Sequence, residues 1–571
     1  MAIPRLVVSY GQVRALRVVL VAVVVCVTLV TMLRLHNRAP EPSIYDYTEG
    51  RTAPWRDWRH EDNETHANSP EGRFLKQLIQ KHDLTNEVTW SARVVEPKFG
   101  GGRVKSKRPS VTEVATRLLE RDFVNTRVAD ADLRLGLEAG EKLKLPVAGA
   151  KGITVDASTL LFGVSTTYER LVYADHELIR DWQSWLTNGN GKSNGASLLL
   201  TLHKSTTEDE LEEVEETLRS SGIDATVQLS KGGDDSASRY IDLLQELRSH
   251  SATLKGKTFI GLVDDDVFFP SMGKLIQKLS KFQSDKQYYI GAPSERSDWA
   301  IETNKTITYG GGAVFLTLPM VEQVVKSPCM HSDSASPLTT DLKTRVSSPH
   351  SQDFHTGVQW DLQLYECITK HTSTDLHVLP SFFNPEQGEL YSTVDGTGPI
   401  DEGYASGAQP LTLHQYRNVH RFEAGKGHLV TRVCGEDCFL QRFLFKDDWV
   451  LVNGYTLSQY PDGVDTVSLK HKKISAQGEG DEAQKVVVGK RLVVDGDQSD
   501  EDSKAIAWAG RKRTWRLLDA RVDESGEIWQ AYVKRKDGGN QFEEARAPGD
   551  RIHAEEERTD KDSIVILIWK P

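Results

Sequence analysis

Residues 259–270, Phe-Ile-Gly-Leu-Val-Asp-Asp-Asp-Val-Phe-Phe-Pro, place three consecutive carboxylates between two apolar runs that belong in a core. Burying Asp264, Asp265 and Asp266 without partners costs several kcal/mol per charge, so a fold that keeps them must bring something cationic to meet them. A divalent metal is the leading candidate. On a continuing strand Asp264 and Asp266 project to one side and Asp265 to the other. The alternative, a solvated acidic turn, leaves the following Val267-Phe268-Phe269 unexplained.

The chain around the triplet has the pattern of an α/β domain. From Leu160 onward, strand-like runs at 160–164, 196–202, 225–229 and 258–263 alternate with helical ones. The helices run to Trp185, from the capping box Thr207-Glu208-Asp209-Glu210 to near Gly222, and over 236–250. Such alternation predicts parallel strands, and it puts the triplet at a strand's C-terminal end, where open α/β sheets bind their ligands. Beyond about residue 440 the helical period fades into short β-like segments at 449–452, 486–488, 514–518, 528–533 and 564–569. A β-rich C-terminal module is therefore expected over 436–571.

The chain's 571 residues allow two or three domains. The stretch 18–33, uncharged and apolar between Arg17 and Arg34, is slightly shorter than the ~20 residues of a spanning helix, but flanking arginines can snorkel. It reads as a membrane anchor behind a cytoplasmic tail at 1–17. A cleaved signal peptide is the rival, although no small-x-small site follows before Arg34. Residues 34–155, rich in Pro and charge, carry helical patterns at 74–79 and 111–119 and a Gly100-Gly101-Gly102 break, and read as a stem with considerable disorder.

The sequons Asn63-Glu64-Thr65 and Asn304-Lys305-Thr306 suit a luminal C-terminal part. Of five cysteines, four lie beyond the anchor, an even number that an oxidising compartment allows to pair. Cys434-Gly-Glu-Asp-Cys438 can close a small loop, which leaves Cys329 for Cys367; half a zinc site is the alternative, but no second Cys pair accompanies it. The expected location is the Golgi or endoplasmic reticulum membrane, single-pass type II. A net charge of −12 argues against a nucleic-acid binder, and Lys107-Arg108 and Arg511-Lys512-Arg513 read as solvated surface.

Asp264-Asp265-Asp266, then Tyr289-Ile290-Gly291-Ala292-Pro293-Ser294, then Tyr309-Gly310-Gly311-Gly312-Ala313-Val314-Phe315 together resemble the fringe-like β-1,3-glycosyltransferases (glycosyltransferase family 31), especially their fungal branch. The resemblance begins at Phe162-Gly163-Val164-Ser165-Thr166-Thr167 with Glu169-Arg170 and continues through Trp360-Asp361 to Cys367. It then takes in Leu411-Thr412-Leu413-His414, the Cys434 to Cys438 loop with Gln441-Arg442, and Asn453-Gly454-Tyr455. It implies a GT-A-type nucleotide-sugar-binding domain, here 156–435, that transfers a hexose or N-acetylhexosamine from a UDP-sugar to a glycan or glycoprotein. Transfer would invert the anomeric carbon, form a β-1,3 linkage and use Mn²⁺ or Mg²⁺.

The same resemblance implies roles for single residues. Asp264, Asp266 and His414 would bind the metal, with Asp266 the most direct ligand; Asp264 and Asp265 would meet the nucleotide, Asp264 on its ribose side. Arg170 would meet the diphosphate, or else simply pair with an acid. Gly311 and Gly312 would let backbone pass close to the donor sugar. Asp361 would take the proton of the acceptor hydroxyl, with Asp353 in reserve. The chain departs from the family in offering Gln359 and Trp360 where members often have a second acid, and capping of a helix is the other reading of Asp361. An inactive sugar-binding or chaperone-like protein of the same fold is the alternative function. A metal-dependent phosphohydrolase is a third class, without the second acidic motif that a two-metal site needs.

Overall fold

The computed structural model describes residues 70–100, 108–127, 141–149, 155–249, 254–292, 312–330, 360–379, 381–382, 391–394, 398–401, 403–407, 409–417, 421–468, 504–508, 510–536 and 560–571. Seven strands form the sheet that carries the acidic triplet, in the order Leu376–Val378, Tyr289–Gly291, Val314–Thr317, Phe259–Leu262, Leu160–Thr166, Ser197–Leu202, Ala225–Leu229. Neighbours pair in parallel except Val314–Thr317, which is antiparallel to both of its neighbours. Helices Tyr168–Leu186, Glu208–Ser220 and Ser236–Ser249 connect the parallel strands.

Leu160–Thr166, Ser197–Leu202 and Phe259–Leu262 are buried along their whole length, which is why they read as unbroken apolar runs. The capping box is formed: the Thr207 hydroxyl accepts from the Glu210 N–H, and the Glu210 carboxylate accepts from the Thr207 N–H at 2.8 Å. Gly261 is demanded by packing, since a Cβ there would stand 2.7 Å from the Phe315 ring.

A second, ten-stranded sheet draws on both ends of the described chain. Glu87–Phe99 pairs in parallel with Asp562–Trp569, Val88 opposite Asp562 and Val95 opposite Trp569, while Thr112–Val114 pairs in parallel with Arg442–Phe445. Strands Glu87–Phe99, Thr112–Val114, Val124–Arg127 and Leu143–Val147, within the stretch expected to be a disordered stem, thus belong to the same sheet as the C-terminal segment. Helix Pro70–Lys81 sets Phe74, Leu75, Leu78 and Ile79 into a cluster with Trp529 and Ile566. The helical pattern at 111–119 yields instead to strand Thr112–Val114, because β-branched Val111, Thr112 and Val114 meet a partner strand there.

One continuous apolar core joins Phe162 and Val164 of the first sheet to Leu517, Val565 and Trp569 of the second. It includes Val433, Cys434, Cys438 and Phe439, so packing is unbroken across residue 435, where the sequence suggests a module boundary.

Two basic runs expected at the surface are partly internal. Arg108 is buried, and its guanidinium donates to the carbonyls of Gly407, Asp437, Phe439 and Leu440 at 2.8–3.2 Å. Lys512 is buried with its ammonium 4.5 Å from the centre of the Trp508 ring. A chain turn that leaves several carbonyls pointing inward attracts a long cationic side chain, and the carbonyls' need for donors outweighs the preference of the charge for water.

Cys329 pairs with Cys367 and Cys434 with Cys438. The first disulfide ties the turn Pro328–Met330 to helix Trp360–His371; the second closes the short loop that could otherwise have been half a zinc site. Among the described residues no helix is long and apolar enough to cross a membrane. The stretch 18–33, Asn63, Asn304, Tyr309, Gly311, Asp353 and 486–488 lie outside the described residues.

Candidate metal centre

The acidic triplet leaves the sheet directly after strand Phe259–Leu262. The Val267 N–H donates to the Asp264 carbonyl at 3.2 Å, which turns the chain and buries Val267, Phe268 and Phe269 behind the carboxylates. Phe268 then forms an isolated antiparallel bridge with Leu413, its N–H donating to the Leu413 carbonyl at 2.9 Å and the reverse bond measuring 2.8 Å. That bridge delivers the next residue, His414, to the triplet. His414 is buried, with its Nε2 3.1 Å from Asp266 Oδ1 and 3.7 Å from Asp264 Oδ2. One ligand atom from each of Asp264, Asp266 and His414 lies within 4.8 Å of the others, a group that could hold a metal ion.

Asp265, at a corner of that turn, faces a different set of partners. Its carboxylate accepts from the Thr166 hydroxyl and from both Nε (2.6 Å) and Nη2 of Arg170. The first strand supplies Thr166 as its last residue, and the first turn of the following helix, N-capped by Thr167, supplies Arg170. The Asp265 carbonyl accepts the Trp182 indole N–H at 3.0 Å. Arg170 therefore meets a carboxylate of the triplet itself while its side chain stays about half exposed.

Three carboxylates here face one guanidinium and one imidazole, and their electrostatics differ accordingly. Burial, with Asp265 and Asp266 alongside, pushes Asp264 above the usual carboxylate range despite His414. Burial acts on Asp266 in the same direction, but His414 and Arg170 outweigh it and hold its carboxyl below that range. The hydrogen bonds that Arg170 donates to Asp265 stabilise the Arg170 cation further.

Helix Trp360–His371 closes the site from another side. The Trp360 indole N–H donates to Asp264 Oδ1 at 2.5 Å, and the Trp360 ring stacks on Tyr240 with centroids 4.2 Å apart. Asp361, the next residue, is buried, and its Oδ1 accepts the N–H of Leu362 at 2.9 Å. Gly312 is buried just ahead of strand Val314–Thr317. The segment after His414 is anchored by Asp181, whose carboxylate accepts from the Tyr416 hydroxyl and from Arg417 Nη2 at 2.6 Å; burial pushes Asp181 up to about 6 against the pull of Arg417.

The structure thus brings together Asp264, Asp265, Asp266, Arg170 and His414, and sets Asp361 beside a residue that touches Asp264. Sequence reasoning missed Thr166, Tyr240 and the role of Trp360. A tryptophan in the place of a second acid was the available signal: its N–H is a donor where the acid would have been an acceptor.

Among solved structures the chain is similar to the galactosyltransferase LgtC in complex with donor and acceptor sugar analogues, at 10% identity over 45% of this chain and 86% of that one, with a TM-score of 0.27. It is similar to mouse xyloside xylosyltransferase 1 in its apo form, at 12% identity over 39% and 86% of the two chains, with a TM-score of 0.25. A third is the mannosyltransferase PcManGT from Pyrobaculum calidifontis in complex with GDP-Man and Mn²⁺, at 11% identity over 32% of this chain and 51% of that one, TM-score 0.22. No family model matches the chain, and no curated protein does.

Proposed function

We propose that this chain is a metal-dependent glycosyltransferase with a GT-A-type domain, moving a hexose or N-acetylhexosamine from a UDP-sugar to a glycan or glycoprotein, with inversion and a β-1,3 linkage. The observation that carries this reading is the convergence of Asp264, Asp266 and His414 at the C-terminal edge of a mostly parallel sheet. The donor set fits the group: two carboxylates and a buried imidazole suit Mn²⁺ or Mg²⁺, and negative charge exceeds the cations at hand. Bound there, the ion would offset the charge of the departing diphosphate.

The remaining steps belong to side chains. Arg170, fixed at one face by Asp265, keeps its exposed edge for the nucleotide. Asp361, whose Oδ1 accepts the Leu362 N–H, takes the proton of the acceptor hydroxyl as its oxygen bonds to the anomeric carbon and the bond from that carbon to the UDP oxygen breaks, so that UDP leaves with the electron pair. The 18–33 segment, the two sequons and the two disulfides support a type II protein with its catalytic part in the lumen of the Golgi or endoplasmic reticulum.

One observation favours the alternative of an inactive sugar-binding relative: Asp361 is 2% exposed and engaged by its own helix. A donor screen of UDP-sugars with and without Mn²⁺, on the unaltered protein, Asp266→Ala and Asp361→Asn, separates the two. Transfer that needs Mn²⁺ and disappears in both variants supports the enzyme. Donor binding without turnover supports the inactive relative, and activity untouched by Asp266→Ala removes the metal from the scheme.

A further inference from the structure

Two buried donors stand at one oxygen of Asp264. Its Oδ1 accepts the Trp360 indole N–H at 2.5 Å, and the Tyr240 hydroxyl, whose shorter bond of 2.5 Å goes to the Val263 carbonyl, lies 3.3 Å from the same oxygen. Oδ2 is the oxygen turned toward His414. The donors are themselves locked, because the two rings stack nearly parallel at 10° and both are buried. The Cys329–Cys367 disulfide also tethers the helix that Trp360 opens.

Resting on the metal-dependent reading above, we propose that Trp360, braced by Tyr240, is a positioning residue that keeps Asp264 a one-oxygen ligand and so selects a small octahedral cation over Ca²⁺. The physical ground is coordination habit. Ca²⁺ takes 6–8 oxygens, often using both oxygens of a carboxylate, whereas Mg²⁺ demands near-octahedral geometry with short bonds. An oxygen that already accepts an indole N–H has one lone pair fewer to offer and is held in place by that donor, which disfavours its joining a larger shell. Phe in place of Trp360 frees Oδ1 while keeping an aromatic ring on Tyr240.

The test is calorimetric titration of the full chain with Mn²⁺ and, separately, with Ca²⁺, for the unaltered protein, Trp360→Phe and Tyr240→Phe, alongside thermal midpoints without metal. Trp360→Phe is expected to lose roughly tenfold in Mn²⁺ affinity, the usual effect of removing a group that orients a metal ligand. Ca²⁺ affinity should hold or rise, so the preference for Mn²⁺ narrows by at least that factor. A purely structural tryptophan would weaken both ions alike, and an unchanged Mn²⁺/Ca²⁺ ratio in Trp360→Phe overturns the proposal while leaving the metal site standing. If Trp360→Phe does not fold, Tyr240→Phe decides: a smaller narrowing in the same direction supports the proposal and an unchanged ratio overturns it. An unaltered protein that binds no Mn²⁺ sinks this inference together with the proposed function.

Discussion

The edge of the seven-stranded sheet and the seam of the ten-stranded sheet both bury charge, and they do so in opposite ways. At the seam, Arg442 is fully buried and donates to the carbonyls of Ser110 at 3.1 Å and Lys504 at 2.7 Å, and Arg108 is spread over four carbonyls. Asn453 donates to the Cys438 carbonyl at 3.1 Å, and Gln530 takes the Trp569 indole N–H at 2.8 Å. These bonds fall on backbone or neutral side chains, so the region is a clamp between distant segments. At the sheet edge, three acids crowd together with too few cations. Buried charge that is satisfied by carbonyls holds a fold together; buried charge that is left in excess is available to a ligand.

The sharpest way to break this contrast is Arg442→Met. Orphaning the buried carbonyls should cost about 4 kcal/mol in a denaturant titration, at 1–3 kcal/mol per lost partner, and should leave the Mn²⁺ affinity of whatever remains folded unchanged. A loss of metal affinity larger than the loss of stability would show the two regions to be coupled. Next come the disulfides. On loop entropy, Cys367→Ala, which opens a 38-residue separation, should destabilise by about 4 kcal/mol, and Cys438→Ala, which opens a separation of 4, by about 2 kcal/mol. The reverse ranking of their unfolding midpoints would mean that the small loop acts through packing at the seam.

Asp264→Asn addresses the other side of the contrast. Transfer activity should fall about 100-fold, near 2.7 kcal/mol of barrier, while thermal stability holds or rises, because an acid whose pKa is pushed up by burial and by its neighbours carries its charge at a cost. A variant that loses stability and activity in proportion would return Asp264 to a structural role.

The smallest effect is a slope. His428 lies between the Phe268 and Phe439 rings, and its Nε2–H donates to the Pro270 carbonyl at 3.1 Å; burial lowers its pKa to about 4. Between that value and the ordinary 6.5, the unfolded chain holds the extra proton. Stability from this group is therefore whole above pH 6.5 and is lost as the pH falls toward 4. His428→Gln should flatten this part of the stability curve, by about 2 kcal/mol at pH 5 relative to the unaltered protein. Parallel curves for the two proteins would show that His428 titrates normally.

Much of the first region was legible because its signals are local. Strand and helix alternate with periods that a short window reveals, so 160–164, 225–229 and 258–263 fall within a few residues of Leu160–Thr166, Ala225–Leu229 and Phe259–Leu262. The Thr207 capping box declares itself within four positions. The Asp triplet announces an uncompensated charge, and four cysteines beyond residue 33 left few pairings. The second region hid because its partners are far apart: the Thr85 N–H finds the Asp562 carboxylate across 477 positions, and Glu87–Phe99 looks like a charged stem until Asp562–Trp569 lies beside it.

From its order of residues alone, then, the chain settled the alternating strands and helices between Leu160 and Val263, and where acids gather at a strand end, since apolar period, caps and charge density are properties of neighbours. Tertiary structure alone decided that Arg108 and Arg442 go inside, that the Leu413 bridge to Phe268 carries His414 to Asp266, and that the Trp360 indole takes one oxygen of Asp264. Each of these depends on closing a long loop to set a donor against an acceptor, and the free energy of that contact exists only once the intervening chain has folded.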